Sequence, residues 1–324
     1  MADPAGDTKA ILAIDGGGIR GLIPALVLAH IEEQTGAAIA DLFDVIAGTS
    51  TGGILALGLT CPEGGRPRYS ARDLAEVYER EGPRIFPHEF LGFVRQLFSP
   101  KYRARGRNSV LTDKLGDARL KDALAEVIVT GYDIHERRPV FFRKALAVTE
   151  PSSRDYLMRD LAMATSAAPT YFEPVCLRPP DGSREHVVVD GGVFANNPAM
   201  CAFVDRTTVE GERERALMVS LGTGSLTHPY TYRQTRGWGL IGWGPHILDV
   251  VFDGVSESVE YELETILGDE YHRFQIELVG ASDHMDDVGS TNIERLKETA
   301  QELISTRRAE LDALCAQLAA RVAR

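Results

Sequence analysis

The sequence DLFDVIAGTSTGG, at residues 41–53, decides the fold. Its first half is an apolar run with the length of a buried strand, the run breaks at Gly48, and a helix is predicted from Thr51 to about Leu59. The same order occurs upstream, where AILAIDGGGIRG (residues 10–21) is a short apolar run that ends in a glycine-rich turn before a helical pattern. Two successive strand–turn–helix units predict an α/β fold, in which helices cover a parallel or mixed sheet.

Further strands and a helical end follow along the chain. Strands are predicted at residues 126–130, 140–147, 186–190 and 216–221. Residues 62–107 are rich in Pro, Arg and Phe and predict a mixture of short helices and loops. Because there is no repeat, low-complexity tract or clear linker, we predict a single domain over residues 1–324. Its catalytic core would span about 10–224, and a C-terminal lid or membrane loop with helices would span about 225–324.

The C-terminal segment, residues 291–324, has a helical pattern. Thr291 and Glu294 fit a capping box at its start. An apolar stripe is predicted at Ile293, Leu296, Leu303, Leu311, Leu314 and Leu318.

The overall composition argues against several classes of protein. The formal net charge is -12 and the sequence pI is about 5.2, which argues against a nucleic-acid polymer as partner. Neither a secretory signal nor a stretch of about 18 apolar residues is visible, so no spanning helix is predicted. The cysteines are scattered, without a CxxC pair or a nearby His cluster, which indicates reduced thiols in a cytosolic protein.

Residues 48–52, GTSTG, form a G-x-S-x-G motif between the second strand and its helix. A serine at this point sits on a sharp turn that exposes its hydroxyl, and the N–H groups of the next helix favour developing negative charge. The motif predicts that Ser50 is the nucleophile of a serine acyl hydrolase. The alternative is a tight turn without a catalytic role.

Residues 15–21, DGGGIRG, form a second candidate element. The consecutive glycines Gly16–Gly18 leave backbone N–H groups unshielded, as an oxyanion hole or a phosphate cradle requires, and Arg20 adds a supporting positive charge. The same segment satisfies G-x-G-x-x-G. A dinucleotide-binding unit, however, needs an acidic residue at the end of the second strand, where the Ser50 turn stands instead.

An unassisted serine hydroxyl is a poor nucleophile, so Ser50 needs a base within hydrogen-bond reach. The histidines in the chain order of an α/β-hydrolase triad are His228, His246, His272 and His284. None of them lies in a glycine-rich turn at a strand end, and only about one βα unit precedes Ser50, unlike the usual α/β-hydrolase. Asp190 is the better candidate, because it ends the apolar run HVVVD and two glycines follow it. The alternative for this position is an ordinary β-turn.

Together these motifs resemble the patatin-like phospholipase family. DGGGIRG, GTSTG and the DGG of residues 190–192 occur in the family's order, and residues 165–174, 196–198 and 220–224 are also similar. The likeness covers roughly residues 10–224. It implies a three-layer α/β/α fold with a mostly parallel central sheet.

The resemblance also implies a mechanism. Ser50 would attack an ester carbonyl and Asp190 would accept its proton, as a dyad without histidine. The oxyanion hole would consist of Gly16, Gly17, Gly18 and the Thr51 N–H. Family members act on phospholipids, galactolipids and other acyl esters, and neither a metal nor another cofactor is expected. A non-catalytic ligand-binding or storage protein on the same scaffold is the alternative.

A glycine-rich apolar loop indicates how lipid could reach this site. Its candidates for membrane contact are Trp238, Leu240, Ile241 and Trp243. The alternative is a loop packed on the core. A second apolar series could form a lid or pack in the core: Phe86, Phe90, Phe93, Leu97 and Phe98. Both features fit an enzyme that is cytoplasmic and peripheral at the membrane, with phospholipid as its partner.

A basic run interrupts the acidic chain at Lys101, Arg103, Arg105 and Arg107. If the backbone there is extended, the spacing places all four charges on one face, where an anionic headgroup or a nucleotide could bind. The alternative is a solvated loop. Some bacterial patatin-like enzymes are activated by cyclic nucleotides in antiviral defence, so a cyclic nucleotide activator is a regulatory hypothesis. An oligomer is compatible with the sequence.

Overall fold

The computed structural model describes residues 8–87, 99–207, 215–225, 229–244 and 246–322. The strands are β1 (Lys9–Ile14), β2 (Val45–Gly48), β3 (Pro62–Glu63), β4 (Arg66–Pro67), β5 (Glu126–Asp133), β6 (Arg138–Arg143), β7 (Val175–Leu177), β8 (His186–Asp190), β9 (Ala216–Leu221) and β10 (Tyr271–Phe274). The α-helices are Leu22–Thr35, Ile39–Leu42, Thr51–Thr60, Ala71–Ile85, Arg105–Leu115, Lys144–Thr149, Pro151–Arg154, Met158–Thr165, Gly192–Ala195, Ala199–Thr207, Tyr232–Thr235, Leu240–Trp243, Ile247–Leu267, Ser290–Thr306 and Arg308–Val322. Short 3₁₀ helices occur at Gly18–Gly21, Leu120–Asp122 and Gly268–Glu270.

Most of the strands form one mixed sheet. Strands β10, β9, β1, β2 and β5 pair in parallel in that order, and β6, β8 and β7 add antiparallel pairs around β5. The central strands β1 and β9 read KAILAI and ALMVSL and are almost wholly buried, as expected for parallel strands covered on both faces. The prediction of an α/β/α fold with a mostly parallel sheet is confirmed.

The side chains of β1 show how the two helical layers attach. Leu12 belongs to the larger core, which includes residues of the helices Leu22–Thr35 and Ser290–Thr306. Its neighbour Ile11 belongs to the smaller core, together with residues of helix Ala199–Thr207. Because successive side chains of a strand point to opposite faces, this alternation places helices on both sides of the sheet.

Two predictions in the first half of the chain need correction. The strand predicted at residues 140–147 ends at Arg143, and helix Lys144–Thr149 follows, because Lys, Ala and Leu favour helix once the pairing with β5 ends. Residues 62–107 contain the 15-residue helix Ala71–Ile85, which is longer than the short helices predicted there.

The C-terminal segment is helical as predicted, but it forms the two helices Ser290–Thr306 and Arg308–Val322. All six residues of the predicted apolar stripe are buried. The capping box predicted at Thr291 and Glu294 is wrong, because the helix begins at Ser290 and its N-cap, two residues before Thr291, is Gly289, which has no side chain to accept a hydrogen bond.

One edge of β5 brings the ends of two other strands together. Strand β6 pairs with residues 128–133 of β5, so β2 and β8 share the opposite edge. Strand β2 runs parallel to β5 and ends at Gly48 opposite Val129, whereas β8 runs antiparallel and ends at Asp190 opposite Gly131. The two strand ends therefore meet head to head, about 7 Å apart along β5.

Candidate active site

Ser50 occupies the tight turn between β2 and helix Thr51–Thr60. Its backbone has φ 55° and ψ -121°, a combination that non-glycine residues rarely adopt. Such strain persists where the surroundings hold it in place, and here the Ser50 N–H donates to Thr165 Oγ1 at 2.9 Å. The turn presents Ser50 to a cavity that Asp190 also lines, hereafter the Ser50 cavity.

Gly52 is required by the close packing of this turn. A Cβ atom at Gly52 would overlap the carbonyl oxygens of Ile14 and Asp15 at the end of β1. Glycine therefore lets the start of helix Thr51–Thr60 lie directly against the glycine-rich loop that follows β1.

Asp190 lies at the end of β8 and is 2% exposed. Its Oδ1 accepts the Gly192 N–H at 2.8 Å, and the carboxylate lines the same cavity as Ser50. Burial raises the pKa of Asp190 to about 6, although the nearby Ser50 hydroxyl, the Gly192 N–H and the charge of Arg107 act in the opposite direction. A carboxylate with this pKa is largely ionised at neutral pH and can still accept a proton.

Thr49 ties the Ser50 turn to the segment that follows Asp190. Its hydroxyl donates to the Ala195 carbonyl at 2.6 Å and lies 2.7 Å from the hydroxyl of Thr130 in β5. These buried hydrogen bonds hold the two strand ends in a fixed relation.

Residues 165–167, hereafter the strut, contact three residues of the same site and hold them in position. The contacts are Thr165 Oγ1 with the Ser50 N–H at 2.9 Å, the Ser166 carbonyl with Arg107 Nη1 at 3.0 Å, and the Ala167 carbonyl with the Asp190 N–H at 3.0 Å. In the sequence these residues stand out only as part of the family-like pattern at residues 165–174, which does not reveal this role. Backbone carbonyls at a helix end give no signal in a sequence.

Gly17, Gly18 and Thr51 line the Ser50 cavity, and none of their backbone N–H groups has an acceptor among the described residues. Unpaired N–H groups are rare in protein interiors, and three of them beside one hydroxyl can stabilise an oxyanion. Gly18 has φ 60°, and a Cβ atom there would overlap the Met285 carbonyl, so this position needs glycine.

The expectation that Gly16 belongs to the oxyanion hole is wrong. Its N–H donates to the Asn196 carbonyl at 3.0 Å, and its carbonyl accepts the Thr223 hydroxyl at 2.7 Å. Gly16 therefore links β1 to its neighbours and has no N–H left for a ligand.

The charged side chains of Asp15, Arg20 and Arg273 hold the glycine-rich loop in position. Asp15 and Arg273 form a buried ion pair at 2.7 Å that ties the end of β1 to β10. Arg20 Nε donates to the Gly17 carbonyl at 3.3 Å, and its guanidinium lines a second, polar cavity. Arg20 thus supports the loop through a hydrogen bond and is not among the described residues that line the Ser50 cavity.

Apolar side chains form most of the wall of the Ser50 cavity. They include Ile54, Ile85, Phe86, Tyr171, Phe172 and Phe252. An apolar chamber with one polar corner matches an acyl ester, which has an apolar chain and a polar carbonyl. The described lining contains no histidine that could serve as a base.

Of the predicted lid series, only Phe86 lies within the described residues. The Phe86 ring contacts those of Tyr102 and Phe172, with centroid separations of 5.5 Å and 5.9 Å. The other members of the series, Phe90, Phe93, Leu97 and Phe98, lie outside the described residues, as does His228.

The predicted membrane-contact residues lie on a loop whose described residues belong to neither the larger nor the smaller core. Trp238 packs within the loop, stacked on His246 with a centroid separation of 4.8 Å and edge-on to Trp243 at 5.2 Å. Leu240 is 94% exposed and Trp243 is 38% exposed. Ile241 lies in the same short helix, and its side chain is outside the described part.

Helix Ile247–Leu267 connects this loop to the Ser50 cavity. Ile247 and Val250 expose apolar surface at its start, and Phe252 lines the cavity. The apolar surface and the cavity wall are therefore about 8 Å apart along one helix. None of the helices in the described ranges is both long enough and apolar enough to span a bilayer.

The expectation that the four basic residues share one face is wrong. Helix Arg105–Leu115 begins within the run, so the backbone is not extended throughout. Lys101 pairs with the buried Asp286, and Arg103 is exposed. Arg107 is only 1% exposed and lines the Ser50 cavity, a location that its place in the basic run does not predict.

Comparisons with known proteins agree with these motifs. The family model for patatin-like phospholipase matches residues 12–203. Patatin-like protein 2 of Arabidopsis thaliana is 33% identical, covering 96% of this chain and 86% of its own length. Patatin-03 of Solanum tuberosum is 34% identical, covering 92% and 84%. Patatin-like protein 1 of Oryza sativa subsp. indica is 37% identical, covering 80% and 70%. The chain belongs to the patatin-like phospholipase family.

Proposed function

We propose that this chain is a phospholipase A-type serine acyl hydrolase in which Ser50 is the nucleophile and Asp190 is the general base. Membership of the family supports lipid acyl hydrolase activity in general. The observation that carries the finer proposal is that Ser50 and the buried Asp190 carboxylate line the same cavity, where the Ser50 hydroxyl is close enough to lower the pKa of that carboxylate.

The first half-reaction forms an acyl-enzyme. Ser50 Oγ attacks the ester carbonyl carbon while its proton passes to Asp190. The negative charge on the former carbonyl oxygen faces the unpaired N–H groups of Gly17, Gly18 and Thr51. The bond to the leaving alcohol then breaks, and that alcohol takes the proton from Asp190.

The second half-reaction reverses these roles with water as the nucleophile. Asp190 accepts a proton from water as the water oxygen attacks the acyl carbon. The bond to Ser50 Oγ breaks, and Ser50 recovers the proton from Asp190. The products are a carboxylic acid and free enzyme.

We infer that the substrate is membrane phospholipid and that the loop carrying Leu240 and Trp243 contacts the bilayer. The support is the exposed apolar surface at this loop, which one helix connects to the Ser50 cavity. Aromatic rings with one wet edge suit the bilayer interface.

Paired substitutions test the dyad. We expect Ser50→Ala and Asp190→Asn each to lower fatty acid release from phosphatidylcholine vesicles at least about 1,000-fold, with unchanged circular dichroism. Ser305→Ala and Asp41→Asn make the same chemical changes at exposed positions and serve as controls. Full activity of Asp190→Asn together with loss in a histidine variant would overturn the dyad.

A fluorophosphonate probe distinguishes the enzyme from a non-catalytic ligand-binding or storage protein. We expect the probe to label wild type and not Ser50→Ala. No labelling of folded wild type would favour the non-catalytic alternative.

Activation by a cyclic nucleotide in antiviral defence is a separate hypothesis. The basic run offers it no shared charged face, so its support is the resemblance to bacterial family members alone. A thermal-shift screen with cyclic di- and trinucleotides tests it, and no shift with any of them would count against it.

A further inference from the structure

Arg107 is a buried cation in the wall of the Ser50 cavity. Its side chain projects from helix Arg105–Leu115 and is only 1% exposed. Among the described residues that line this cavity it is the single cation, and Ser50 and Asp190 line the same space.

The hydrogen bonds of Arg107 leave one end of the guanidinium free. Nη1 donates to the Ser166 carbonyl at 3.0 Å, Nε donates to Asn108 Oδ1 at 3.2 Å, and the guanidinium carbon lies 4.4 Å from the centre of the Phe172 ring. Nη2 is buried and has no hydrogen-bond partner among the described residues. No carboxylate of the described chain lies within ion-pair distance of Arg107.

Burying a guanidinium without an ion-pair partner is unfavourable. Burial lowers the pKa of Arg107 to about 10, with the charge of Asp190 acting in the opposite direction, so Arg107 stays protonated at neutral pH. If this side chain had only a structural role, an apolar side chain of similar size would stabilise the fold at least as well. A fixed, partly unpaired guanidinium is instead typical of a site that binds phosphate or carboxylate.

We propose that Arg107 determines specificity by binding the phosphate of a phospholipid substrate through Nη2. This inference rests on the proposed function and adds the headgroup chemistry to it. In a glycerophospholipid the phosphorus is separated from the central ester oxygen by only two carbon atoms and one oxygen. A cation in the same wall as Ser50 is therefore within reach of the phosphate when the ester carbonyl lies at the hydroxyl.

A pair of substrates with the same acyl chains tests this assignment. Phosphatidylcholine and a neutral diacyl galactolipid are compared in mixed micelles, so that bilayer binding does not contribute. We expect Arg107→Gln to lower kcat/KM at least about tenfold more for phosphatidylcholine than for the galactolipid. Arg105→Gln removes the same charge from the exposed side of the helix start and is expected to change neither.

An equal loss on both substrates would overturn the proposal, because it would mean that Arg107 acts on the dyad or on the fold. No loss on either substrate would overturn it as well. If Arg107→Gln melts early, Arg107→Lys replaces it, since Lys keeps the charge and loses the planar fork. The selective loss on phosphatidylcholine is then expected to be smaller, and an equal effect on both substrates would again count against the proposal.

Inorganic phosphate separates a headgroup site from a site for free phosphate. For a headgroup site, added phosphate is expected to raise the KM of wild type for phosphatidylcholine and to leave galactolipid hydrolysis unchanged. A change in galactolipid hydrolysis would contradict the headgroup assignment. Retained activity of Ser50→Ala would contradict the proposed function itself, whatever Arg107→Gln does.

Discussion

Asp190 combines burial with contacts that favour its charged form, and this balance sets how it can act. The Ser50 hydroxyl, the Gly192 N–H and the charge of Arg107 all lower its pKa, but burial is the largest effect. The pKa therefore rises to about 6. A carboxylate of this kind accepts a proton from a serine more readily than an exposed carboxylate does, because its conjugate acid is weaker.

The raised pKa predicts the acid side of the pH–rate profile. Because Asp190 must be ionised to accept the Ser50 proton, we expect kcat/KM for a soluble short-chain ester to fall about tenfold per pH unit below about pH 6. Initial rates between about pH 4 and pH 8 measure this limb. An acid limb near pH 4, where an unperturbed carboxyl titrates, would be inconsistent with Asp190 as the base.

The same pKa predicts that ionised Asp190 lowers the stability of the native state. Its native pKa of about 6 lies above the ordinary value of 3.8. The neutral carboxyl therefore contributes its full stability to the native state below about pH 4, and this stability is lost as pH rises through 6. The cost at neutral pH and above is about 2 to 3 kcal/mol. Asp190→Asn keeps the shape without the charge, so its free energy of unfolding should exceed that of wild type at about pH 8.

Urea unfolding at several pH values measures this difference. The advantage of Asp190→Asn should shrink as pH falls toward about 4, because the wild-type carboxyl becomes neutral in the native state and no longer costs stability there. Asp41→Asn, at an exposed position, should show no comparable gain. A less stable Asp190→Asn at about pH 8 would show that burial does not dominate at this site.

Some residues of the site could be predicted from the sequence, and others could not. Ser50 and Asp190 could be predicted as candidates because each stands where a buried strand ends and glycines begin. Gly16 could not be separated from Gly18, since consecutive glycines look equivalent until the contact of Gly16 with Asn196 is known. The position of Arg107 could not be predicted, because its every-other spacing in the basic run gives a shared face only in an extended segment, and Arg107 lies in a helix.

At the scale of elements, the pairing along β5 brings Ser50 and Asp190 together. The strands β2, β5 and β8 could be predicted from their apolar runs. Their directions could not, because an apolar run of five residues reads the same for parallel and antiparallel pairing. The head-to-head meeting of β2 and β8 depends on β8 being antiparallel to β5. The apolar runs alone therefore do not predict that Ser50 and Asp190 lie close together. Only the family resemblance implies it.

The strut at residues 165–167 predicts that Thr165 positions Ser50. Thr165→Val keeps the shape but removes the acceptor of the Ser50 N–H, which costs about 1 to 3 kcal/mol if the N–H stays unpaired. We expect kcat for a soluble ester to fall about tenfold, with KM within about twofold of wild type, because the strained turn relaxes. Steady-state kinetics measure both constants.

Thr165→Ser is the matched control, since it retains the hydroxyl. Its kcat should return to within about threefold of wild type, although the lost methyl group lowers stability by about 1 kcal/mol. Wild-type kcat in a folded but less stable Thr165→Val would show that Thr165 supports only the fold.

At the scale of the whole molecule, exposed apolar side chains concentrate on one part of an acidic surface. Of the thirteen large apolar side chains that are exposed in the described ranges, seven lie on the loop and helix from residue 230 to 261: Tyr230, Tyr232, Leu240, Trp243, Ile247, Val250 and Tyr261. The sequence predicted an apolar loop here but could not show which side chains face solvent. Trp238, for example, packs against Trp243 and His246 instead. A cluster of this kind marks a contact surface for a partner or a membrane.

The exposed apolar surface predicts that Leu240 contributes to hydrolysis only when the substrate lies in a bilayer. Burying one leucine side chain contributes about 1.5 to 3 kcal/mol, and a carboxylate in its place is also repelled by the apolar phase. We expect Leu240→Asp to lower binding to phosphatidylcholine vesicles, and the hydrolysis rate on them, at least about tenfold. Vesicle sedimentation and fatty acid release measure the two effects. Hydrolysis of a soluble short-chain ester should stay within about twofold of wild type, since Leu240 is 94% exposed and is not among the described residues that line the Ser50 cavity.

Val279→Asp separates a specific contact from a general effect of charge. Val279 is 75% exposed and lies outside the apolar cluster, so the same added charge there should leave vesicle binding unchanged. Equal losses in the two variants would mean that net charge, already -12, governs approach to the bilayer. A selective loss in Leu240→Asp would mean that the loop inserts. Access to Ser50 would then begin where helix Ile247–Leu267 leaves the bilayer interface and places Phe252 in the cavity wall.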